Sequence, residues 1–210
     1  MFVITADQRD SRHDDDRVEH AIANLLESAG TTFVLPPERT AGDEFQFVLD
    51  RADAVVSLVL ALHRAEHWSI GLGIGAVEHP LPATTRAARG EAYFAARRAV
   101  ESAKTRPTRF SLDPDAPGDA APTTADVQAL IDPLLLLRDS RTAAGWQIVD
   151  LLESGISQKE AATRLAVTPQ AVSLRVRAAG ARVDGPARDA IARLLTVVDR
   201  TLDPTDERNP

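Results

Sequence analysis

The chain has 210 residues and a formal net charge of −7, and 44% of its residues are hydrophobic and 26% charged, as in ordinary folded globular proteins. It contains no cysteine, which excludes disulfides and thiolate metal sites. No apolar stretch approaches the roughly 20 residues that a membrane-spanning helix needs, and no secretory signal is recognised. We therefore expect a cytoplasmic protein without a membrane partner.

The acidic total hides one basic segment. Residues 141–183 carry six basic and three acidic side chains, whereas residues 1–119 carry 13 basic and 19 acidic ones. A local basic patch can engage phosphate groups even when the rest of the protein repels them. The net charge therefore does not exclude a nucleic-acid partner.

Hydrophobic periodicity predicts alternating strands and helices over the first 112 residues. Pro36, Pro37 and the turn-like residues 41–43 separate two β-rich runs, which indicates a hairpin. The run at 68–77 has three alternating glycines, so one face of that strand is bare and a helix or a ligand can approach it closely. The order β-α-β-β-α-β-α-β favours a helix-covered mixed sheet of the ferredoxin-like kind. The predicted elements are a strand at 2–4, a helix at 17–29, strands at 32–35 and 45–49, a helix at 54–62, a strand at 68–77, a helix at 90–104 and a strand at 109–112.

A proline-rich, acidic stretch without periodicity follows this part of the chain and reads as a linker. The sequence after it is helical throughout. We therefore predict a first domain at 1–113, a linker at 114–124, an all-α domain at 125–203 and a frayed tail at 204–210.

Within the helical part, residues 154–180 (SGISQKEAATRLAVTPQAVSLRVRAAG) predict two short helices joined by a tight turn. Ser157 and Glu160 have the spacing of a capping box at the start of the first helix. Thr168 is a good N-cap for the second helix, with Pro169 at its first position, where no N–H is needed. The predicted buried positions are Ala161, Ala162, Leu165, Ala171, Val172 and Val176.

This pattern resembles the helix-turn-helix of bacterial regulators and sigma factors, whose second helix enters the major groove of double-stranded DNA. The resemblance implies that residues at the start of the second helix face the bases, that its arginines reach bases or phosphates, and that the start of the first helix touches phosphates. The alternative is a helical pair that packs internally and binds nothing. The implied DNA-binding residues are Gln158, Lys159, Thr168, Gln170, Ala171, Ser173, Leu174, Arg175 and Arg177.

Two apolar helices flank this motif and predict a homodimer, because they carry more apolar residues than a small helical domain needs. Helix-turn-helix proteins usually bind DNA as two-fold dimers. The residues concerned are Leu134, Leu135, Leu136 and Leu137, and Ile191, Leu194, Leu195 and Val198.

Acidic residues near the N-terminal strand and the hairpin suggest a second site. Asp7 follows the first strand, and Asp43 and Glu44 lie on the hairpin. If strand and hairpin are neighbours, Asp7 and Asp43 approach each other as a carboxylate pair that could hold Mg²⁺ over the phosphates of a nucleotide. Alternatively, Asp43 and Glu44 are turn residues on a solvated hairpin.

Four pieces of the N-terminal part, ADQRDSR, AGDEFQFVL, WSIGLGIGAV and RGEAYFAARRAVESAK, look like the SatD family. That family in turn resembles the nucleotide-cyclase and GGDEF superfamily. The resemblance implies a nucleotide-cyclase-like α+β domain ahead of the helix-turn-helix domain, with Asp7 and Asp43 as metal ligands. The pattern departs from a cyclase at Ala41, which replaces a glycine, and no phosphate-binding lysine is evident. The implied ligand-binding residues are Asp7, Arg9, Arg12, Gly42, Asp43, Glu44, Tyr93 and Arg97.

Three functions stay open on this evidence. The first is a transcriptional regulator whose N-terminal domain senses a nucleotide or cyclic dinucleotide, a ligand class that rests on fold analogy. The second is a Mg²⁺-dependent nucleotidyl transferase or cyclase-like enzyme that DNA binding regulates. The third is an interaction module whose first domain only dimerises.

Overall fold

The computed structural model describes residues 1–11, 13–27, 33–113 and 122–202. Within these ranges the chain is mixed α+β, with a five-stranded mixed sheet and helices around it. A short 3₁₀ turn lies at Thr85–Ala87. The elements are β1 Phe2–Gln8, α1 Val18–Glu27, β2 Leu35–Ala41, β3 Glu44–Leu49, α2 Ala52–Arg64, β4 Trp68–Ile74, α3 Glu91–Ala103, β5 Phe110–Leu112, α4 Thr124–Asp139, α5 Ala143–Glu153, α6 Gln158–Arg164, α7 Pro169–Ala178 and α8 Ala181–Leu202.

The sheet has the strand order β2-β3-β1-β4-β5. Its neighbours are antiparallel, except that β4 and β5 run parallel. The predicted succession of strands and helices up to residue 112 is therefore confirmed. Within the described helices, none is long and apolar enough to cross a membrane.

The hairpin differs from the prediction in the position of its first strand. Pro36 and Pro37 lie inside β2 rather than in the turn, which consists of Gly42 and Asp43 alone. Prolines are tolerated there because β2 is the outer strand of the sheet, where a missing N–H costs no ladder bond. Of the predicted strand at 32–35, only Leu35 belongs to β2, and residue 32 lies outside the described residues.

Helix α3 covers the bare face of β4. A Cβ added at Gly71 would come within 2.6 Å of the Ala96 carbonyl oxygen, and one added at Gly73 within 2.9 Å of the Ala96 Cα. Helix α3 carries small side chains at its buried positions. Three of these are Ala92, Ala96 and Ala99. A helix, and not a ligand, occupies the space that the alternating glycines leave open.

Helices α4 and α8 join the core on the other face of the sheet. They pack with Phe2, Ile4 and the apolar side chains of α2 in one continuous cluster. The reason lies in α2, which is buried nearly all round and therefore needs a covering layer besides the sheet. This corrects the basis for the predicted dimer, because most of the apolar residues assigned to it are buried within the chain. The buried ones are Leu134, Leu135, Ile191, Leu195 and Val198.

The remaining helices α5, α6 and α7 have a small core of their own. It is built from Ile148, Val149, Ala161, Val172 and Val176. The predicted linker falls outside the described residues as far as 121, and the predicted tail lies wholly outside them. Helix α4 begins at Thr124, capped by Thr123.

A group of charged and aromatic side chains lies between the core of α2, α4 and α8 and the small core of α5–α7, and we name it the junction cluster: the buried Arg138, Arg141 and Asp184, the half-buried Trp146 and the exposed Arg64. Asp184 accepts a hydrogen bond from Arg138 at 2.7 Å and another from Arg141. The guanidinium groups of Arg64, Arg138 and Arg141 lie 3.9, 4.9 and 4.6 Å from the centre of the Trp146 ring. The cluster therefore connects α2, α4, α5 and α8.

Candidate functional site

Helices α6 and α7 have the capped ends that the sequence predicts. Ser157 accepts a hydrogen bond from the Glu160 amide at 3.3 Å, and its own amide donates to the Glu160 carboxylate at 3.0 Å. Thr168 accepts a bond from the Ala171 amide at 3.2 Å, and Pro169 opens α7. The capping box and the N-cap are confirmed, and they fix where both helices begin.

The contact between α6 and α7 is made by small side chains. Ala161 and Ala162 of α6 are buried, as are Val172 and Val176 of α7. Predicted core residues Leu165 and Ala171 are only half-buried. Small residues at the crossing let the two helices approach closely, so the opposite side of α7 is left facing outward.

The outward side of α7 is polar and basic with one apolar residue. Gln170, Ser173, Leu174 and Arg177 are exposed, and Leu174 reaches 61% exposure. Arg175 lies towards the side of the helix and is half-buried. Of the other residues that the resemblance implied, Lys159 and Thr168 are exposed and Gln158 and Ala171 are half-buried.

The basic residues on this surface are available to a partner. Among the described residues, Lys159, Arg175 and Arg177 make no ion pair. By contrast, Arg97 and Arg98 on α3 each pair with a carboxylate. The two helices also meet on their exposed side, where Ser173 donates to the Gln158 side chain at 3.4 Å. Basic side chains without an acidic partner, next to polar side chains, are the groups that contact the phosphates and base edges of DNA. Sequence reasoning did not single out Arg164 and Arg182, which flank the same helices and are also exposed and without an ion pair among the described residues.

A second group of polar side chains lies between the sheet and α3. Asp7 on β1 is directly opposite Glu44 on β3. Each carboxylate has a basic partner from α3 or its end: Lys104 Nζ lies 3.0 Å from Asp7, and Arg97 pairs with Glu44. Thr40 also donates its hydroxyl to Glu44 at 2.6 Å.

The neighbouring row of the sheet continues this polar surface. Gln46 lies opposite Thr5 and donates to its hydroxyl at 2.7 Å. Thr5 is fully buried. This part of the sheet therefore presents hydroxyl and amide groups next to the two carboxylates that Lys104 and Arg97 bind.

Burial and hydrogen bonding shift the pKa values of Asp7 and Lys104. Burial raises the pKa of Asp7, although Lys104 works in the opposite direction. For Lys104, burial lowers the pKa, but hydrogen bonds to Asp7 and Glu101 outweigh it, so the pKa is raised overall. Lys104 is thus a firm cation, while Asp7 ionises less readily than an exposed aspartate.

Tyr93 lies on the same side of α3 as Arg97, one turn earlier. Its burial raises the pKa to about 12. The hydroxyl is buried and has no hydrogen-bond partner among the described residues. Its ring packs against the apolar cluster that contains Val3 and Val48.

The predicted approach of Asp7 to Asp43 holds in part: besides burial, the nearby charge of Asp43 raises the pKa of Asp7, but Glu44 is the residue that stands directly opposite Asp7 in the sheet. Asp43 lies in the hairpin turn, accepts a hydrogen bond from Ser11 at 2.6 Å and lines a cavity of about 400 Å³ with Gly42, Gln8 and Asp16. Side chains alternate between the faces of a strand, so a shift of one residue decides which carboxylate faces α3.

The remaining predicted ligand-binding residues are dispersed. Arg9 donates to the Glu66 carbonyl at 2.9 Å, away from the carboxylate pair. Arg12 lies outside the described residues. No added Cβ at Gly42 would meet an atom within 4 Å, so its space is open.

The described ranges hold no ready-made cluster of metal ligands. These contain no group of three or more histidine, aspartate or glutamate side chains that could hold a metal ion. Asp7 and Glu44 are moreover already neutralised by Lys104 and Arg97. The chemistry that the site offers is hydrogen bonding and ion pairing with a polar ligand.

The sequence did not predict that Lys104 belongs to this candidate site, and it did not predict Thr5, Thr40 or Gln46 there either. One signal was present, because only two of the 24 basic residues are lysines. One of them, Lys104, touches Asp7, and the other, Lys159, stands on the exposed surface of α6.

Comparison with known proteins finds no matching family model, and no curated protein or solved structure of significant similarity.

Proposed function

We propose that this chain is a DNA-binding transcriptional regulator in which α6 and α7 form a helix-turn-helix for double-stranded DNA. The observation that carries the proposal is the exposed side of α7, where Gln170, Ser173, Leu174 and Arg177 project from a helix whose opposite side is packed on α6. Arginine and glutamine are common partners of guanine and adenine, and an apolar side chain can contact the thymine methyl group.

The charge distribution supports binding that depends strongly on salt. Residues 141–183 are basic inside an acidic chain. Each phosphate contact releases counterions, and few such contacts are available from one small motif. We therefore propose that two copies bind together as a homodimer on adjacent half-sites.

For the N-terminal unit we propose a ferredoxin-like domain of the nucleotide-cyclase type, related to the SatD family, that senses a nucleotide or cyclic dinucleotide. The antiparallel order β2-β3-β1-β4, with α1 between β1 and β2 and α2 between β3 and β4, supports this topology. The cations Lys104 and Arg97 suit the phosphates of such a ligand, and Asp7 and Glu44 suit hydrogen-bond donors on its base.

DNA binding is tested by substitution on the exposed side of α7. Gln170→Ala and Arg177→Ala should each weaken binding to a selected operator by about 1–3 kcal/mol if these side chains read bases. The measurement is a titration of labelled duplex, after selection of the operator from random sequence.

Arg193→Ala is the matched control, because Arg193 is exposed on α8 and, like Arg177, has no ion pair among the described residues. It should bind the operator like the unmodified protein. If Gln170→Ala and Arg177→Ala also leave the affinity unchanged, α7 is not the recognition helix.

An assay for catalytic turnover distinguishes the proposed sensor from the enzyme alternative. Incubation of the protein with Mg²⁺ and each nucleoside triphosphate should yield no product, because Asp7 and Glu44 are already paired with Lys104 and Arg97. Chromatography of the nucleotides after incubation, with and without duplex DNA, provides the measurement. A product that is lost in Asp7→Asn would contradict the sensor and establish an enzyme.

A further inference from the structure

The loop at 104–109, which joins α3 to β5, touches both the carboxylate site and α4. Its first residue, Lys104, lies 3.0 Å from Asp7. Two residues later Arg106 pairs with Asp132 of α4 at 2.5 Å, and Thr108 donates to the same carboxylate at 2.9 Å. Arg109 closes the loop by donating to the Lys104 carbonyl at 2.6 Å. One short loop therefore connects Lys104 to two of the groups that hold Asp132.

Helix α4 leads from Asp132 to the junction cluster. Arg138 stands on the same helix and bonds Asp184, and their side chains are 8% and 3% exposed. Arg138 also lies over the ring of Trp146, which belongs to α5. Buried charges tolerate displacement poorly, because each must keep a partner. A shift of α4 would thus require α5 and α8 to adjust.

We propose that the loop at 104–109 and α4 transmit the state of the Lys104–Asp7 pair to the junction cluster and so to helices α5–α7. A ligand phosphate that draws Lys104 away from Asp7 would loosen the hold of Arg106 and Thr108 on Asp132. The regulatory meaning of this coupling rests on the proposed function, whereas the coupling itself is a property of the unliganded chain. Two sites joined through one packed element with alternative arrangements are the physical basis of such coupling.

The test uses hydrogen exchange of the full chain without ligand or DNA. Lys104→Met removes the ammonium that binds Asp7, and Asp132→Ala removes the carboxylate that anchors the loop. Both variants should raise amide exchange in residues 128–139 and 143–153 by roughly fivefold or more. The double variant should exchange no faster than Asp132→Ala alone, because both changes break one path.

Arg97→Met is the matched control, since it breaks the neighbouring pair with Glu44 on the same side of α3 without touching the loop. Its exchange in 128–139 and 143–153 should equal that of the unmodified protein. The proposal is overturned if Lys104→Met leaves these amides unchanged, if Asp132→Ala does so, or if Arg97→Met speeds them equally. Because no outcome requires DNA or ligand, a failure of the proposed function would be seen separately, in the duplex titration.

Discussion

At the scale of single residues, the buried Asp184 stands out because it pairs with three arginines. It bonds Arg138 and Arg141, and Arg188 Nε lies 3.2 Å from its second oxygen. Arg141 is fully buried and Arg138 nearly so. Burial lowers the pKa of Arg138, which means that the folded chain works against this positive charge and needs the carboxylate to hold it.

Asp184→Asn should therefore destabilise the protein strongly. The substitution keeps the shape of the side chain but leaves two buried arginines without a counter-charge, a defect that costs about 3–5 kcal/mol. Urea unfolding followed by circular dichroism measures the loss. Arg188→Ala, which removes a half-exposed partner of the same carboxylate, should cost about 1 kcal/mol or less. Equal stability of Asp184→Asn and the unmodified chain would contradict this account.

The carboxylate site, formed by Asp7 and Glu44, shows which residue contacts could not be predicted from the sequence. The sequence placed Asp7 near the hairpin correctly, because β1 and β3 are neighbours. It could not choose between Asp43 and Glu44, since that choice depends on strand register, which side-chain alternation makes sensitive to a single position. The pairing of Lys104 with Asp7 could not be predicted either, because it depends on how α3 lies across the sheet.

At the scale of elements, helix boundaries and caps were the most predictable features. The capping box of α6 and the Thr168-Pro169 start of α7 are local patterns whose partners lie within three residues. The destination of α4 and α8 was not predictable from their own apolar pattern. That pattern shows that a helix is buried and does not show whether α2 or a second copy of the chain buries it.

The contact of β4 with α3 gives a prediction at the same scale. Gly71→Ala should destabilise the protein by about 3 kcal/mol or more, because the added methyl group would meet the backbone of Ala96 and Val100, which cannot move aside without shifting α3. Thermal unfolding monitored by calorimetry gives the comparison.

Gly42→Ala serves as its counterpart, since an added Cβ there meets nothing within 4 Å and the backbone is not in the left-handed region. It should change the stability by no more than about 0.5 kcal/mol. Equal losses in both variants would mean that α3 does not sit on the glycine face of β4.

At the scale of the whole molecule, the described residues form a large core on one face of the sheet, a smaller cluster between the other face and α3, and a small core among α5, α6 and α7. The large core draws helices from both ends of the sequence, from α1 to α8. The small core holds the helices that we propose bind DNA. The sequence predicted a separate all-α domain at 125–203, but α4 and α8 of that range pack in the core with the sheet, because where an apolar helix packs is a long-range choice that its own pattern does not determine.

The outer strand β2 limits how two copies of this chain can associate. It contains Pro36 and Pro37, and a proline has no N–H to offer to a strand of a second copy. At the opposite edge, the Leu112 amide of β5 already donates to Gln128 of α4 at 2.8 Å. Continuation of the sheet from one copy into the next is thus disfavoured at both edges, and the homodimer that we propose would use helix surfaces such as the exposed Leu130 and Leu136 of α4.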